Sequence, residues 1–432
     1  MATDTIVAIR AREILDSKAR PMVEVDVVTA AGAIGRGSSP CGTSAGAHEA
    51  VVLRDGGKRY RGLGVLQAVR NVLEVIAPAL QGREVANQAE LDGLLNELDG
   101  TPDKSRLGAN AVYSVSIAVA RAGAASQGVP LYRHLGGPEA CCLPAPMFNV
   151  VNGGRFPAAQ LEFQEFHLIP ATAKRYSEAI QMAVEIYGVL AETIRRTCGE
   201  DRLYFGSSAG YGVPASDPAE VIDLLLEAVE AAGYAGQCRI GLDCAASEFY
   251  HQDAAQYHLC GRRLNREELI DLLAGLARTY DLFLLEDPLH EDDFEGFAEI
   301  TRRIPAIIAG DDLFVTNVQR LKRGVALGAA NAMILKPNMV GTISEALAAA
   351  RFARENGYEV IGSGRAGGTI DDPITDIALA VGARLVKFGA PRTGERLAKH
   401  NFMLRLEAEL GSQARFAGPE IFSLPVPRAK ER

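Results

Sequence analysis

The chain has seven cysteines but no CxxC spacing, no long run of lysine and arginine, and no apolar stretch near the roughly 20 residues that span a bilayer. Each absence excludes something. An odd number of scattered thiols fits reduced, buried cysteines better than a disulfide framework or a zinc site, and the adjacent pair Cys141-Cys142 reads as structural. A formal net charge of −9 without a basic run lacks the electrostatic footprint of a nucleic-acid binder. Asp4, Arg10 and Arg12 stand where a secretory signal would need an apolar core, so no membrane insertion is expected and the cytoplasm is the expected location. No GxGxxG fingerprint follows the early strands, which argues against an open dinucleotide-binding sheet.

What is present suits a large soluble globular protein. Apolar residues make up 48 % and charged residues 23 % of 432, enough for a substantial core, with disorder expected only at the tip Pro427-Arg432. Residues 6–28 alternate apolar and polar side chains, as in Val23-Glu24-Val25-Asp26-Val27, and read as an antiparallel meander. From about 66 to 128 the spacing is helical, for example across Ala111-Val112-Val115-Ile117-Val119, until Pro130 breaks it. The Gly- and Ser-rich segment Gly35 to Gly46 has the composition of a mobile loop. Beyond Leu143 short apolar runs alternate with helix-like segments: Arg239-Leu242, Phe283-Leu285, Ala306-Ala309, Ala332-Leu335, Glu359-Ile361 and Leu385-Val386. The fold class expected is therefore α/β, a TIM-like parallel β/α barrel over residues 141–432 with an α+β capping domain over 1–140.

Acidic residues end those runs. Asp243 follows the first and Glu286 the second, while Asp311 and Lys336 follow at intervals of 25 residues, about one β/α unit. In a parallel barrel this phase puts all four at one end, the catalytic face. Three converging carboxylates repel unless a cation neutralises them, and an all-oxygen donor set suits Mg²⁺. Lys336 beside such an ion becomes a usable base for a proton next to a carboxylate. Any one of these residues alone would read as a helix cap or a surface ion pair.

The segments Ala11-Arg12-Glu13-Ile14-Leu15-Asp16-Ser17, Leu107-Gly108-Ala109-Asn110-Ala111, Asn152-Gly153-Gly154, Leu242-Asp243-Cys244-Ala245-Ala246-Ser247-Glu248-Phe249, Gly310-Asp311-Asp312-Leu313-Phe314-Val315-Thr316-Asn317 and Glu395-Arg396-Leu397-Ala398-Lys399 resemble enolase signatures over nearly the whole chain. The resemblance implies Mg²⁺, with Asp243, Glu286 and Asp311 as ligands of one tight ion and Ser44 as a loop residue closing over substrate and a second ion. It further implies Lys336 as the base, Arg365 with Ser363 for the phosphate, Lys399 facing the substrate carboxylate, and Gln164 and Glu165 near the leaving hydroxyl. A base with Mg²⁺ ions stabilising an enediolate is the general scheme of this superfamily. A small phosphorylated carboxylate as substrate, and a homodimer, follow by resemblance only.

Several positions depart from the family pattern. Ser208, within Gly206-Ser207-Ser208-Ala209-Gly210-Tyr211, stands where the family has a glutamate that assists hydroxide departure, Phe156 where it has a histidine, and Gly364 where it has another. A serine hydroxyl is a poor acid at neutral pH, and losing acid–base assistance costs about 10²–10⁴-fold. Together with the small residues Gly364, Ala366 and Gly368, this leads to the expectation of a wider pocket and altered chemistry. The specialised relative it suggests is carboxyphosphonoenolpyruvate synthase of phosphinate antibiotic biosynthesis, an enolpyruvate-forming transferase with a second, phosphonate substrate. The alternatives are a weak phosphopyruvate hydratase, with Glu165 or water as the acid, and a non-catalytic binding protein on the same fold.

Overall fold

The computed structural model describes residues 4–42, 46–154, 161–199, 203–206 and 208–423. The expected tip Pro427-Arg432, together with Ser44 and Phe156, lies outside the described residues. Near the N-terminus β1 (Ile6–Leu15), β2 (Pro21–Thr29) and β3 (Ile34–Ser38) form an antiparallel sheet in chain order. Val23, Val25 and Val27 on β2 are fully buried, so one face of the meander covers a core as the alternation predicts.

That face packs on α1 (Ala109–Gln127), a helix whose residues Ala109 to Ala120 are all buried. The Gly35 to Gly46 segment is therefore not all loop, because its first part is β3. Its glycines have a packing reason: a Cβ on Gly35 would lie 2.0 Å from the Ala118 carbonyl oxygen, and one on Gly37 would lie 2.3 Å from that of Ser114. Only a strand without side chains at those positions can approach the helix so closely.

The rest of the chain builds a closed barrel of eight strands: β4 (Ala145–Asn152), β5 (Glu165–Pro170), β6 (Cys238–Asp243), β7 (Leu284–Glu286), β8 (Ile307–Gly310), β9 (Ala332–Leu335), β10 (Glu359–Ser363) and β11 (Leu385–Lys387). Each pairs with the next, and β11 pairs with β4 to close the ring. The expectation of uniformly parallel strands needs one correction, because β5 runs antiparallel to both β4 and β6. As a result Glu165 opens its strand at the end of the barrel where Asp243 closes its own, and the two are register partners.

Inside the barrel Met147, Ile169, Leu284, Ile334, Ile361 and Leu385 fill the space beneath that end, each without exposed surface. Burying one such side chain contributes about 1.5–3 kcal/mol. The N-terminal layer docks on the helix Ile343–Glu355 that follows β9. Asp92 accepts the Ser344 N–H at 2.9 Å, Ser116 Oγ accepts that of Ile343 at 2.9 Å, and Lys104 Nζ lies 3.1 Å from Glu345. A carboxylate at that position also faces the positive end of the helix dipole. Among the described residues no helix is long and apolar enough to cross a membrane.

Candidate active site

Asp243 and Glu286 are the last residues of β6 and β7, and Asp311 and Lys336 directly follow β8 and β9. The barrel brings all four to one mouth, where the three carboxylates are buried. A lysine absent from the expected set lies among them. Lys387, the last residue of β11, places Nζ 2.7 Å from each Glu286 oxygen, 3.1 Å from Asp243 Oδ2 and 3.6 Å from Glu165 Oε2. Burial works against its charged form, but Asp243, Glu286 and Glu165 outweigh that and hold the ammonium well above the usual lysine range. The signal was in the sequence, since Leu385-Val386 is one of the apolar runs and Lys387 is the residue that follows it.

Lys336 Nζ hydrogen-bonds Asp311 Oδ2, so it stands as the partner of one strand-end carboxylate. Burial depresses its charged form and Asp311 favours it, with a net upward shift. Four carboxylates, those of Asp243, Glu286, Asp311 and Glu165, face two ammonium groups, leaving a formal charge of −2 at the mouth. Burial and the neighbouring Asp243 push the Glu286 carboxyl well above its usual range. The buried Asp311 Oδ1 has no hydrogen-bond partner. A net double negative charge, an all-oxygen donor set and an unused buried oxygen fit a divalent, oxygen-loving cation such as Mg²⁺.

A second acidic group lies beside this one. Asp287, Asp311 and Asp312 each offer an oxygen within 4.8 Å of the others. Asp287 is already engaged, its two oxygens accepting the N–H groups of Asp311 and Asp312 at 3.0 and 2.8 Å. It holds a left-handed backbone at φ 41° and clamps the turn that carries Asp311. Burial and the Asp311 charge push Asp312 up to about 7. The oxygens of Asp243, Glu286 and Asp311 instead face the buried ammonium groups of Lys387 and Lys336.

The remaining expected residues divide between those that join this mouth and those that do not. Gln164 donates from Nε2 to Asp243 Oδ2 at 3.2 Å, and its backbone N–H reaches the Asp243 carbonyl at 2.9 Å. Glu165 faces Lys387 and His167; burial raises its carboxyl, but Lys387 and His167 bring it down to about 2. Arg365 makes a two-pronged pair with Glu49 at 2.9 and 3.1 Å, which overcomes the burial cost and raises its guanidinium. Ser363 ends β10, its hydroxyl 3.1 Å from the Gly364 carbonyl. Ser208 lies in a loop anchored on both sides, with the Gly206 N–H on the Gly210 carbonyl at 2.7 Å and the Gly210 N–H on Asn152 Oδ1 at 2.9 Å. Lys399 does not meet the carboxylates. It sits on the helix Gly394–Leu410, with Nζ 3.0 Å from the Glu395 carbonyl and 3.2 Å from Asp372 Oδ2.

Charged side chains of this chain lie beside the glycines of this neighbourhood. A Cβ on Gly364 would meet Lys399 Cε at 3.3 Å, one on Gly367 would meet Arg20 at 2.1 Å and Asp16 at 2.3 Å, and one on Gly368 would meet Asp372 at 3.4 Å. The small residues make room for charged side chains of this chain.

Comparison with known proteins points the same way. Residues 6–135 match the family described as enolase, N-terminal domain, and residues 140–424 that described as enolase, C-terminal TIM barrel domain. The chain is 47 % identical over 424 residues to an enolase of Methanopyrus kandleri, covering 97 % of this chain and 99 % of that one. It is 47 % identical over 417 residues to an enolase of Pyrococcus furiosus, with coverages of 96 % and 97 %. An enolase of Methanosarcina barkeri shares 48 % over 411 residues, with coverages of 94 % and 95 %. Identity of this extent with plain enolases corrects the expectation of a carboxyphosphonoenolpyruvate synthase with altered chemistry and a phosphonate co-substrate.

Proposed function

This chain belongs to the enolase family, and we propose that it interconverts 2-phosphoglycerate and phosphoenolpyruvate as a phosphopyruvate hydratase. It is a lyase that uses Mg²⁺ and acts on a small phosphorylated carboxylate. The observation that carries the specific reaction is the ring of Asp243, Glu286 and Asp311 with Lys336 and Lys387 at one barrel mouth.

Asp243, Glu286 and Asp311 would hold the tight Mg²⁺, and Ser44, outside the described residues, would join a second ion that enters with substrate. Bound Mg²⁺ supplies positive charge to the substrate carboxylate. Lys336, in its neutral amine form, would take the proton from the carbon next to that carboxylate, onto Nζ. Lys387 keeps a buried ammonium where negative charge develops, and a fixed charge in a dry site is worth far more there than in water. Arg365, with Ser363, binds the phosphate, for which Glu49 is the resident stand-in. Gln164 fixes Asp243, and Lys399 pairs with Asp372. The hydroxyl on the next carbon leaves as water. Glu165, held as a carboxylate, orients that hydroxyl, Ser208 offers it a hydrogen bond, and solvent provides the proton.

The boundary between the capping domain and the barrel is placed at residue 140, and the working form is proposed as a cytoplasmic homodimer. The test of the reaction is the ultraviolet absorbance of phosphoenolpyruvate formed from 2-phosphoglycerate. Mg²⁺-dependent formation, abolished by a chelator, is expected. Protein that binds Mg²⁺ but forms no phosphoenolpyruvate overturns the proposal.

A further inference from the structure

Two residues along β5 from Glu165, on the same interior face, lies His167, which has no exposed surface. A polar ring is unusual at that depth, because the barrel interior there is built from Met147, Ile169, Leu284 and Leu385. Burying a polar group without a hydrogen bond is costly, so its one contact carries information. His167 Nε2 lies 3.2 Å from Glu165 Oε2, while its buried Nδ1 has no hydrogen-bond partner. A carboxylate can only accept, so the ring carries its proton on Nε2 and donates it to Glu165.

The second partner of Glu165 falls on the same oxygen. Lys387 Nζ lies 3.6 Å from Oε2, so both neighbours grip Oε2 and, among the described residues, no hydrogen bond is made to Oε1, on a side chain that keeps 10 % of its surface. Lys387 alone could not fix that orientation. Its shorter contacts, with Glu286 and Asp243, would draw the Glu165 carboxylate toward the cation site.

We infer that His167 is a positioning residue, whose Nε2–H pins Oε2 of Glu165 from beneath so that Oε1 is presented to the leaving hydroxyl of the substrate. It touches neither substrate nor cation and acts through Glu165 alone. The inference rests on the reading of Glu165 given above; across the sheet the register partner of His167 is Asn149, whose side-chain nitrogen is also buried without a hydrogen-bond partner among the described residues.

Two substitutions separate positioning from packing. His167→Gln keeps a donor that can reach Oε2, and His167→Met fills a similar volume without one. With 2-phosphoglycerate and saturating Mg²⁺, His167→Met is expected to lower kcat by about 10- to 100-fold, the range for a misplaced catalytic group, with KM little changed and an undiminished Tm. His167→Gln should recover most of that loss. A folded His167→Met variant with wild-type kcat overturns the inference, as does a loss of kcat that tracks a loss of Tm in both variants. An arm that needs no turnover reads the ring directly, by long-range ¹⁵N–¹H correlation of the imidazoles in the full-length protein, with His167 assigned by its absence in His167→Gln. A proton on Nε2 is expected. A proton on Nδ1 with none on Nε2 overturns the contact, whether or not the wild type makes phosphoenolpyruvate, whereas an inert wild type with a protonated Nε2 counts against the proposed reaction and not against the pinning of Glu165.

Discussion

Lys387 Nζ lies 2.7 Å from both carboxylate oxygens of Glu286, a glutamate that has no exposed surface at all. Taking away one partner of a buried ion pair costs about 3–5 kcal/mol, because the other charge stays behind in a medium that cannot solvate it. Lys387→Met should therefore melt well below the wild type in a chelator. Added Mg²⁺ should recover much of the difference, since a divalent ion can take over the neutralisation. Equal melting temperatures in chelator would show that the carboxylates do not depend on this ammonium.

Asp311→Ala removes one oxygen ligand from a strand end and leaves the barrel interior beneath it untouched. High-affinity Mg²⁺ binding should be lost by calorimetry, with the far-ultraviolet dichroism of the wild type retained. Unchanged Mg²⁺ affinity in a folded variant would remove Asp311 from the proposed ligand set.

How far the mouth of the barrel could be read without coordinates depends on the direction of each strand. Asp243, Glu286, Asp311 and Lys336 were legible because each follows an apolar run in a parallel β/α unit, so chain order alone fixes the end of the barrel it occupies. Lys387 obeys the same rule, whereas Lys399 was named from a signature segment on a helix and pairs with Asp372. Glu165 is the opposite case. It begins a strand, and it reaches the mouth only because β5 runs backwards, a reversal that composition and periodicity do not encode. The crowding around Gly364 and Gly367 was likewise invisible, since the occupying atoms of Lys399, Arg20 and Asp16 come from distant parts of the chain. Small residues in a sequence cannot say whether they open space or yield it to neighbours.

Lys336 is bonded to Asp311, which sharpens what its removal should do. Lys336→Ala should abolish phosphoenolpyruvate formation, because the proposed proton acceptor is gone. Mg²⁺ affinity should hold or rise, since Asp311 loses a competing cation. Titration calorimetry and thermal melting on the same variant decide the matter. Surviving turnover, or a joint collapse of Mg²⁺ affinity and Mg²⁺-bound melting temperature, would make Lys336 a structural ion-pair partner only.

Away from the mouth, His400 should set part of the acid sensitivity of the fold. Its ring is buried between Phe148 and Phe388 and shares a 2.8 Å hydrogen bond with the Tyr176 hydroxyl. Burial, with a smaller push from the Lys399 charge, lowers it to about 3. An unfolded histidine titrates near 6.5, so between about 3 and 6.5 the unfolded chain binds a proton that the native chain refuses. Stability from this group is thus complete above about pH 6.5 and declines as pH falls, by about 1.4 kcal/mol per pH unit within the window. His400→Gln retains a polar partner for Tyr176 but cannot titrate. Urea unfolding in chelator at pH 7.5 and pH 5.0 should show the wild type losing about 2 kcal/mol more than the variant over that interval. Equal losses in the two proteins would mean that His400 takes up its proton in the native state without cost, and that the apolar cage of Phe148 and Phe388 does not control its charge.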